Sequence, residues 1–263
     1  MSPSIAVGER ESLGRPDYRL LQDSQGMING HLLEHVSTYT TDCHIHSEGC
    51  WGYFVLRTVY GDDERVAAAM GHFTDAIENK IVAWRKFDGP GPRSEQLDKE
   101  VRDRYHSVLI EHPSLDGAGY EEAREYFRKW AEPYVTCSSL DDGDSEISDC
   151  SEDPWFDDVG RTARFRGFFL LDELALGNLE RLPAKGDVDA FAKLARNPKA
   201  PWIKLVGTND KAHYGNLGVG AYELLDIFGW LCDQDQGVQT LPRNGEFPED
   251  GDPEHMWELF QFP

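Results

Sequence analysis

Basic residues are scarce in this sequence. Twenty-six Lys and Arg stand against 48 Asp and Glu, a formal net charge of −22. The imbalance is local. Nine acids occur between Ser138 and Asp158 without a single Lys or Arg, and eight acids between Asp233 and Pro263 face Arg243 alone. Outside these two runs the balance is ordinary. The runs read as a solvated acidic loop at 138–158 and an acidic tail at 233–263. Their field disfavours nucleic acid and anionic membranes and suits a positively charged small substrate or protein partner.

Cysteine is also sparse. Cys43, Cys50, Cys137, Cys150 and Cys232 make an odd count in a long chain, which excludes a secreted disulfide scaffold. The start, Met-Ser-Pro-Ser-Ile-Ala-Val-Gly, has no basic region followed by an apolar run, so no signal peptide is expected. No apolar stretch approaches the ~20 residues that span a bilayer, so no membrane partner is expected. A reducing, cytoplasmic location is the default. There is no Gly-x-Ser-x-Gly elbow, which argues against a nucleophilic-serine hydrolase.

Apolar and aromatic residues are plentiful, with seven Trp and thirteen Phe, enough to exclude a disordered chain. The richest stretch is Trp51-Gly-Tyr-Phe-Val-Leu-Arg-Thr-Val-Tyr60. Its aromatic and β-branched residues predict a strand, with Tyr53, Val55, Arg57 and Val59 on one face and Phe54, Leu56, Thr58 and Tyr60 on the other. Both faces are largely apolar, so the strand is expected to be central and covered on both sides. Arg57 is the exception and needs a carboxylate, a ligand anion or water. Gly61 ends the strand and Asp62 or Asp63 can cap a helix. Val66, Met70, Phe73, Ile77, Ile81 and Trp84 recur as one helix face requires, with Lys80, Arg85 and Lys86 suiting its negative end. Gly89-Pro90-Gly91-Pro92 should stop it.

Further strands are predicted at Tyr105–Ile110, Arg164–Leu171 and Trp202–Val206. Further helices are predicted at about 120–132, ended by Pro133, after Asp172-Glu173, at 187–196, and from Ala221 to about Leu231. Strands and helices in turn imply an α/β (or α+β) fold: a single layered domain over 18–232, with a mixed sheet of about four to five strands covered by helices, after a loose segment at 1–17.

Several groups bear on chemistry. His31-Leu-Leu-Glu34-His35 has the spacing of some zinc peptidases, and Cys43-His44-Ile-His46 with Cys50 offers thiolate and imidazole. A chance match and an unliganded loop are the better readings of the two, so no metal is expected. Gly215-Asn-Leu-Gly218-Val-Gly220 has neither the order of the dinucleotide fingerprint nor the Lys-Ser/Thr of a P-loop, and reads as a plain turn. The candidate site is the rim of the sheet. Arg57, Asp62, Glu111, His112, Asp116, Asp172 and Glu173 all lie at or just past predicted strand ends. Two carboxyl groups beside a His can move protons, one kept protonated by burial and the other ionised, while Arg57 holds an anionic group. The plainer account of the same residues is turn caps and an ion pair.

The Trp51–Asp63 stretch, Leu115-Asp-Gly-Ala118 with Arg124, Phe127 and Trp130, Phe169-Leu-Leu-Asp-Glu173, and Trp202-Ile-Lys-Leu-Val206 with the Tyr222 helix resemble a large family of filamentous ascomycete proteins that has no assigned activity. The resemblance covers about residues 51–232. It implies a fungal source, a single domain and a place in specialised (secondary) metabolism, and it transfers no site residue. The expectation is therefore an isomerase- or cyclase-like enzyme on a small-molecule substrate, using acid–base chemistry and no cofactor. A non-catalytic acidic interaction protein is one alternative. Another is an arginine-containing cyclodipeptide synthase using aminoacyl-tRNA, although neither Asp62-Asp63-Glu64 nor Asp141-Asp-Gly-Asp-Ser-Glu146 fits the Asp-Asp-x-x-Glu associated with that group.

Overall fold

The structure, a computed structural model, describes residues 30, 32–33, 50–88, 92–135, 166–195, 197, 199–208 and 216–232. The expectations for 1–17, 138–158 and 233–263 lie outside the described residues, as do those for the two His- and Cys-containing groups apart from Leu32, Leu33 and Cys50.

Among the described residues, five strands form one mixed sheet. They are β1 (Phe54–Arg57), β2 (Val108–Ile110), β3 (Gly167–Leu171), β4 (Trp202–Gly207) and β5 (Asn216–Gly220), in the order β2-β1-β3-β4-β5. β1 pairs parallel with β2, Phe54 opposite Val108, and parallel with β3, Arg57 opposite Leu171. β4 and β5 follow antiparallel. The helices are α1 (Asp63–Asp88), α2 (Pro92–Arg104), α3 (Tyr120–Val135), α4 (Glu173–Leu179), α5 (Val188–Leu194) and α6 (Leu224–Cys232). The mixed α/β sheet expected from the alternation of patterns is present.

The alternation of β1 decides which helix goes where. Tyr53 and Val55 point into the larger core, with Val66, Phe73 and Ile77 of α1, Leu97 and Val101 of α2, Leu176 of α4, Phe191 of α5 and Phe228 of α6. Phe54 and Leu56 point into a second core with Ala123, Phe127 and Trp130 of α3. The ring of Phe127 lies 5.4 Å from that of Phe54 and 4.9 Å from that of Phe168, a cluster that stabilises through area and ring geometry together. All four residues of β1 are buried, as expected of a central strand.

Some boundaries differ from the sequence expectations. β1, β2 and β3 are shorter than the apolar runs that announced them. Trp51 and Tyr105 make only an isolated bridge, and the Trp51 indole is held by Val101 O at 2.7 Å. Arg166 leaves the strand to donate to Leu231 O at 2.8 Å. The charged segment after Gly91 is not a connector but α2. Pro92 suits a first helical turn because its missing N–H has no partner there anyway, and Leu97 and Val101 are the apolar residues the helix gives to the core. Pro133 does not end α3, which runs on to Val135, at the loss of the one bond that an N–H at 133 would have made to Lys129 O. Residues 216–220 are not a turn but β5, made a strand by pairing with β4 from Val206↔Asn216 to Trp202↔Gly220.

Candidate active site at the carboxyl edge

The chain leaves β1 for the face covered by α1 and leaves β2 for the face covered by α3. Between the carboxyl ends of β1 and β2 the connections therefore part, the place where open α/β sheets commonly admit a ligand. Here that place is filled by the protein itself. The Arg57 side chain is 5% exposed and spans the gap, with Nη1 at 2.6 Å from Glu111 Oε1, Nη2 at 2.6 Å from Asp63 Oδ1 and Nε donating to Val59 O at 2.5 Å. Its guanidinium lies 4.6 Å from the centre of the Tyr60 ring. Burial opposes the charge, but the hydrogen bonds to Glu111 and Asp63 outweigh it and hold the guanidinium above its ordinary pKa. Tyr60 closes the same gap by accepting from His112 N–H at 2.7 Å and donating to His112 O at 2.8 Å. Burial raises its hydroxyl pKa, and the hydrogen bond with His112 works against that.

The other expected residues take separate posts. Asp62 caps α1 through Arg65 N–H at 2.9 Å. His112 caps the 3-10 turn Pro113–Leu115, its Nδ1 accepting from Ser114 N–H at 3.2 Å, and stacks at 5.3 Å on Tyr126. Asp116 stands exposed at the end of that turn, where the amide of Gly117 (φ +71°) donates to Thr58 O at 2.9 Å. Asp172 caps α4 through Ala175 N–H at 2.8 Å and pairs with Lys204 at 2.9 Å. Glu173 pairs with Arg65 at 2.7 Å, and Glu180 shares the same guanidinium at 2.5 Å. The structure thus joins Arg57 to Glu111 and Asp63 and distributes Asp62, His112, Asp116, Asp172 and Glu173 among caps and pairs.

A half-buried carboxyl of the expected kind lies further along the same edge. β5 is antiparallel to β4, and β4 to β3, so β5 runs in the direction of β1 and also ends at the carboxyl edge. A 3-10 turn, Ala221–Glu223, carries its end into α6. Lys80 of α1, 2% exposed, meets it there, with Nζ 2.8 Å from Asp226 Oδ2, 3.4 Å from the centre of the Tyr222 ring and 5.3 Å from that of Trp84. Glu223 shares a hydrogen bond with Asp226. Burial, then that hydrogen bond and the neighbouring negative charge, push its carboxyl up to about 8, against the pull of the Lys80 ammonium. Burial and the same two acids raise the Tyr222 hydroxyl. The result is a neutral carboxylic acid at pH 7, beside an ammonium fixed by a carboxylate and two rings. Such a set can deliver a proton and steady an anion formed next to it.

Sequence reasoning placed Lys80 at the helix end and passed over Glu223 and Asp226. The signal was Lys80 standing within the apolar stripe, between Ile77 and Trp84, and an acid pair at i, i+3 where the chain enters the last helix. Among the described residues no group of three or more His, Cys, Asp or Glu is placed to hold a metal, and no helix is long and apolar enough to cross a membrane. Cys50 is buried.

Comparison with known proteins adds no relative: no protein-family model, curated protein or solved structure matches the chain.

Proposed function

We propose that this protein is a small-metabolite enzyme working by proton transfer, of the isomerase or cyclase kind, in the specialised metabolism of a filamentous fungus. The observation that carries the reading is the Glu223–Asp226 pair beside Lys80. Two carboxyl groups with unlike surroundings, one neutral and one paired, are the usual equipment of an acid–base site. Glu223 donates the proton, and Lys80, held by Asp226 and against the Tyr222 and Trp84 rings, stabilises the anionic intermediate. Asp226 is a positioning residue that holds Lys80. The Arg57–Glu111–Asp63 network serves a different end, tying β1, β2 and the start of α1 into one rigid edge.

The test is genetic and chemical together. In the host that carries the gene, deletion and a chromosomal Glu223→Gln replacement should accumulate the same small molecule and lose the same product. A folded Glu223→Gln protein that sustains the complete wild-type metabolite profile would overturn the assignment.

A further inference from the structure

A second feature lies on the other side of α1. Met70, Gly71, Thr74, Asp75 and Glu78 line an open cleft of about 580 Å³ closed by Tyr105, His106 and Ser107 ahead of β2 and by Lys185 from the α4–α5 connection. That volume is of the size that takes small organic ligands.

We propose that this cleft binds a small organic cation, a protonated amine on a flat apolar body. Its walls are set in place by hydrogen bonds. Ser107 Oγ accepts from Tyr53 N–H at 3.0 Å and donates to the Tyr105 hydroxyl at 2.8 Å, which fixes the Tyr105 ring. Asn79, 1% exposed, clamps the opposite wall by donating to Ala184 O at 3.2 Å and accepting from Gly186 N–H at 2.8 Å, so Lys185 is held over Glu78 at 2.6 Å. That ion pair leaves the Asp75 carboxylate without a hydrogen-bond partner among the described residues. Among the lining residues Asp75 and Glu78 face Lys185 alone, one negative charge in excess, with Arg102 beyond the lining on the Lys185 side. The Tyr105 ring and the Met70 thioether supply flat and adaptable apolar surface beside it. The exposed Gly71 leaves the floor open, since a side chain added there meets no atom within 4 Å. The strongly acidic chain also draws cations toward it. This site is separate from the Glu223 pair, because Lys80 faces the core while Asp75 and Glu78 face the cleft.

The probe is tryptamine, compared by titration calorimetry with tryptophol and indole-3-propionate, which carry the same ring with a neutral and a negative end. Tryptamine should bind at least about tenfold more tightly than tryptophol, and indole-3-propionate should give no heat. Asp75→Asn should abolish the preference for the amine, and Gly71→Leu, which fills the floor and favours the helix, should abolish binding in a protein at least as stable as the wild type. Equal affinity for the three compounds, binding that survives Gly71→Leu, or no heat from millimolar tryptamine would each overturn the proposal.

Discussion

The ammonium of Lys80 sits between two unlike partners, the Asp226 carboxylate at 2.8 Å and the face of the Tyr222 ring, whose centre is 3.4 Å away. A buried lysine needs its charge matched on every side that water would otherwise solvate. Here one side is met by an anion and another by a ring quadrupole. Glu223 beside them retains its own proton, first because it is desolvated and then because it shares a hydrogen bond with Asp226. Removing the ammonium by Lys80→Met should cost about 2–4 kcal/mol, because Asp226 loses its partner in a half-buried place. The double variant with Glu223→Gln should cost less than the sum of the two single changes. Urea unfolding of the four proteins measures this, and strict additivity would show that Lys80 and Glu223 act independently.

The pH dependence of stability follows from the same carboxyl. Folded, Glu223 takes its proton at about 8; its reference value is 4.5. Between those values the folded chain holds a proton that the unfolded chain has released. The contribution is fully present below about 4.5 and is lost as pH rises through 8, by an amount on the order of 5 kcal/mol at most. Urea midpoints for wild type and Glu223→Gln, taken across that range, should converge at low pH and separate upward, the variant being the less sensitive. Parallel curves would show that Glu223 titrates as an ordinary surface acid.

Arg57 should prove a structural residue. Its guanidinium holds two carboxylates and a backbone carbonyl at once, which an ammonium cannot do. Because the two acids are themselves 88% and 42% exposed, Arg57→Lys should cost about 1 kcal/mol and Arg57→Ala about 1–2 kcal/mol by chemical denaturation. A change below about 0.5 kcal/mol on Arg57→Ala would place the network among ordinary surface pairs.

Two glycines should respond in opposite directions to alanine. Gly52 has φ +135°, and a Cβ there would run into the carbonyl of His106, whose own amide donates to Trp51 O at 2.6 Å. Gly52→Ala should cost several kcal/mol, on the order of 3. Gly71 lies in the middle of α1 with open space around it, so Gly71→Ala should gain up to about 1 kcal/mol. Thermal unfolding distinguishes the signs directly.

Packing on the α3 face gives a fifth measurement. Phe127 is fully buried among Phe54, Trp130 and Phe168. Phe127→Ala should destabilise by about 3–5 kcal/mol, and the conservative Phe127→Leu by much less.

What could be read in advance depended on whether the signal was local. The two faces of β1, the Ala123–Phe127–Trp130 stripe and the Asp172 cap are local patterns, and each emerged where its spacing put it. β5 was not legible, because Leu217 and Val219 alternate with Gly218 and Gly220 and only the neighbouring β4 makes them a strand. α2 was hidden because Pro92 reads equally as the end of a linker and the first turn of a helix. At the rim, Arg57 was visible as a charge in an apolar strand, and Glu111 as an acid just past another. That they meet depends on β1 and β2 being neighbours in parallel, which no single stretch encodes. The Lys80 cluster was harder still, since it joins α1 to a turn more than one hundred residues later.

The position of β1 at the middle of the parallel part of the sheet sets a condition on biosynthesis. Its second neighbour, Gly167–Leu171, is translated roughly 110 residues after it, which at ~5–20 residues per second leaves the growing chain for some 5–20 s with an apolar edge open on the ribosome. A product that stops short of Gly167 keeps that edge permanently unpaired. Truncated forms should therefore gather in aggregates or on chaperones, and slower, cooler expression should favour intact protein.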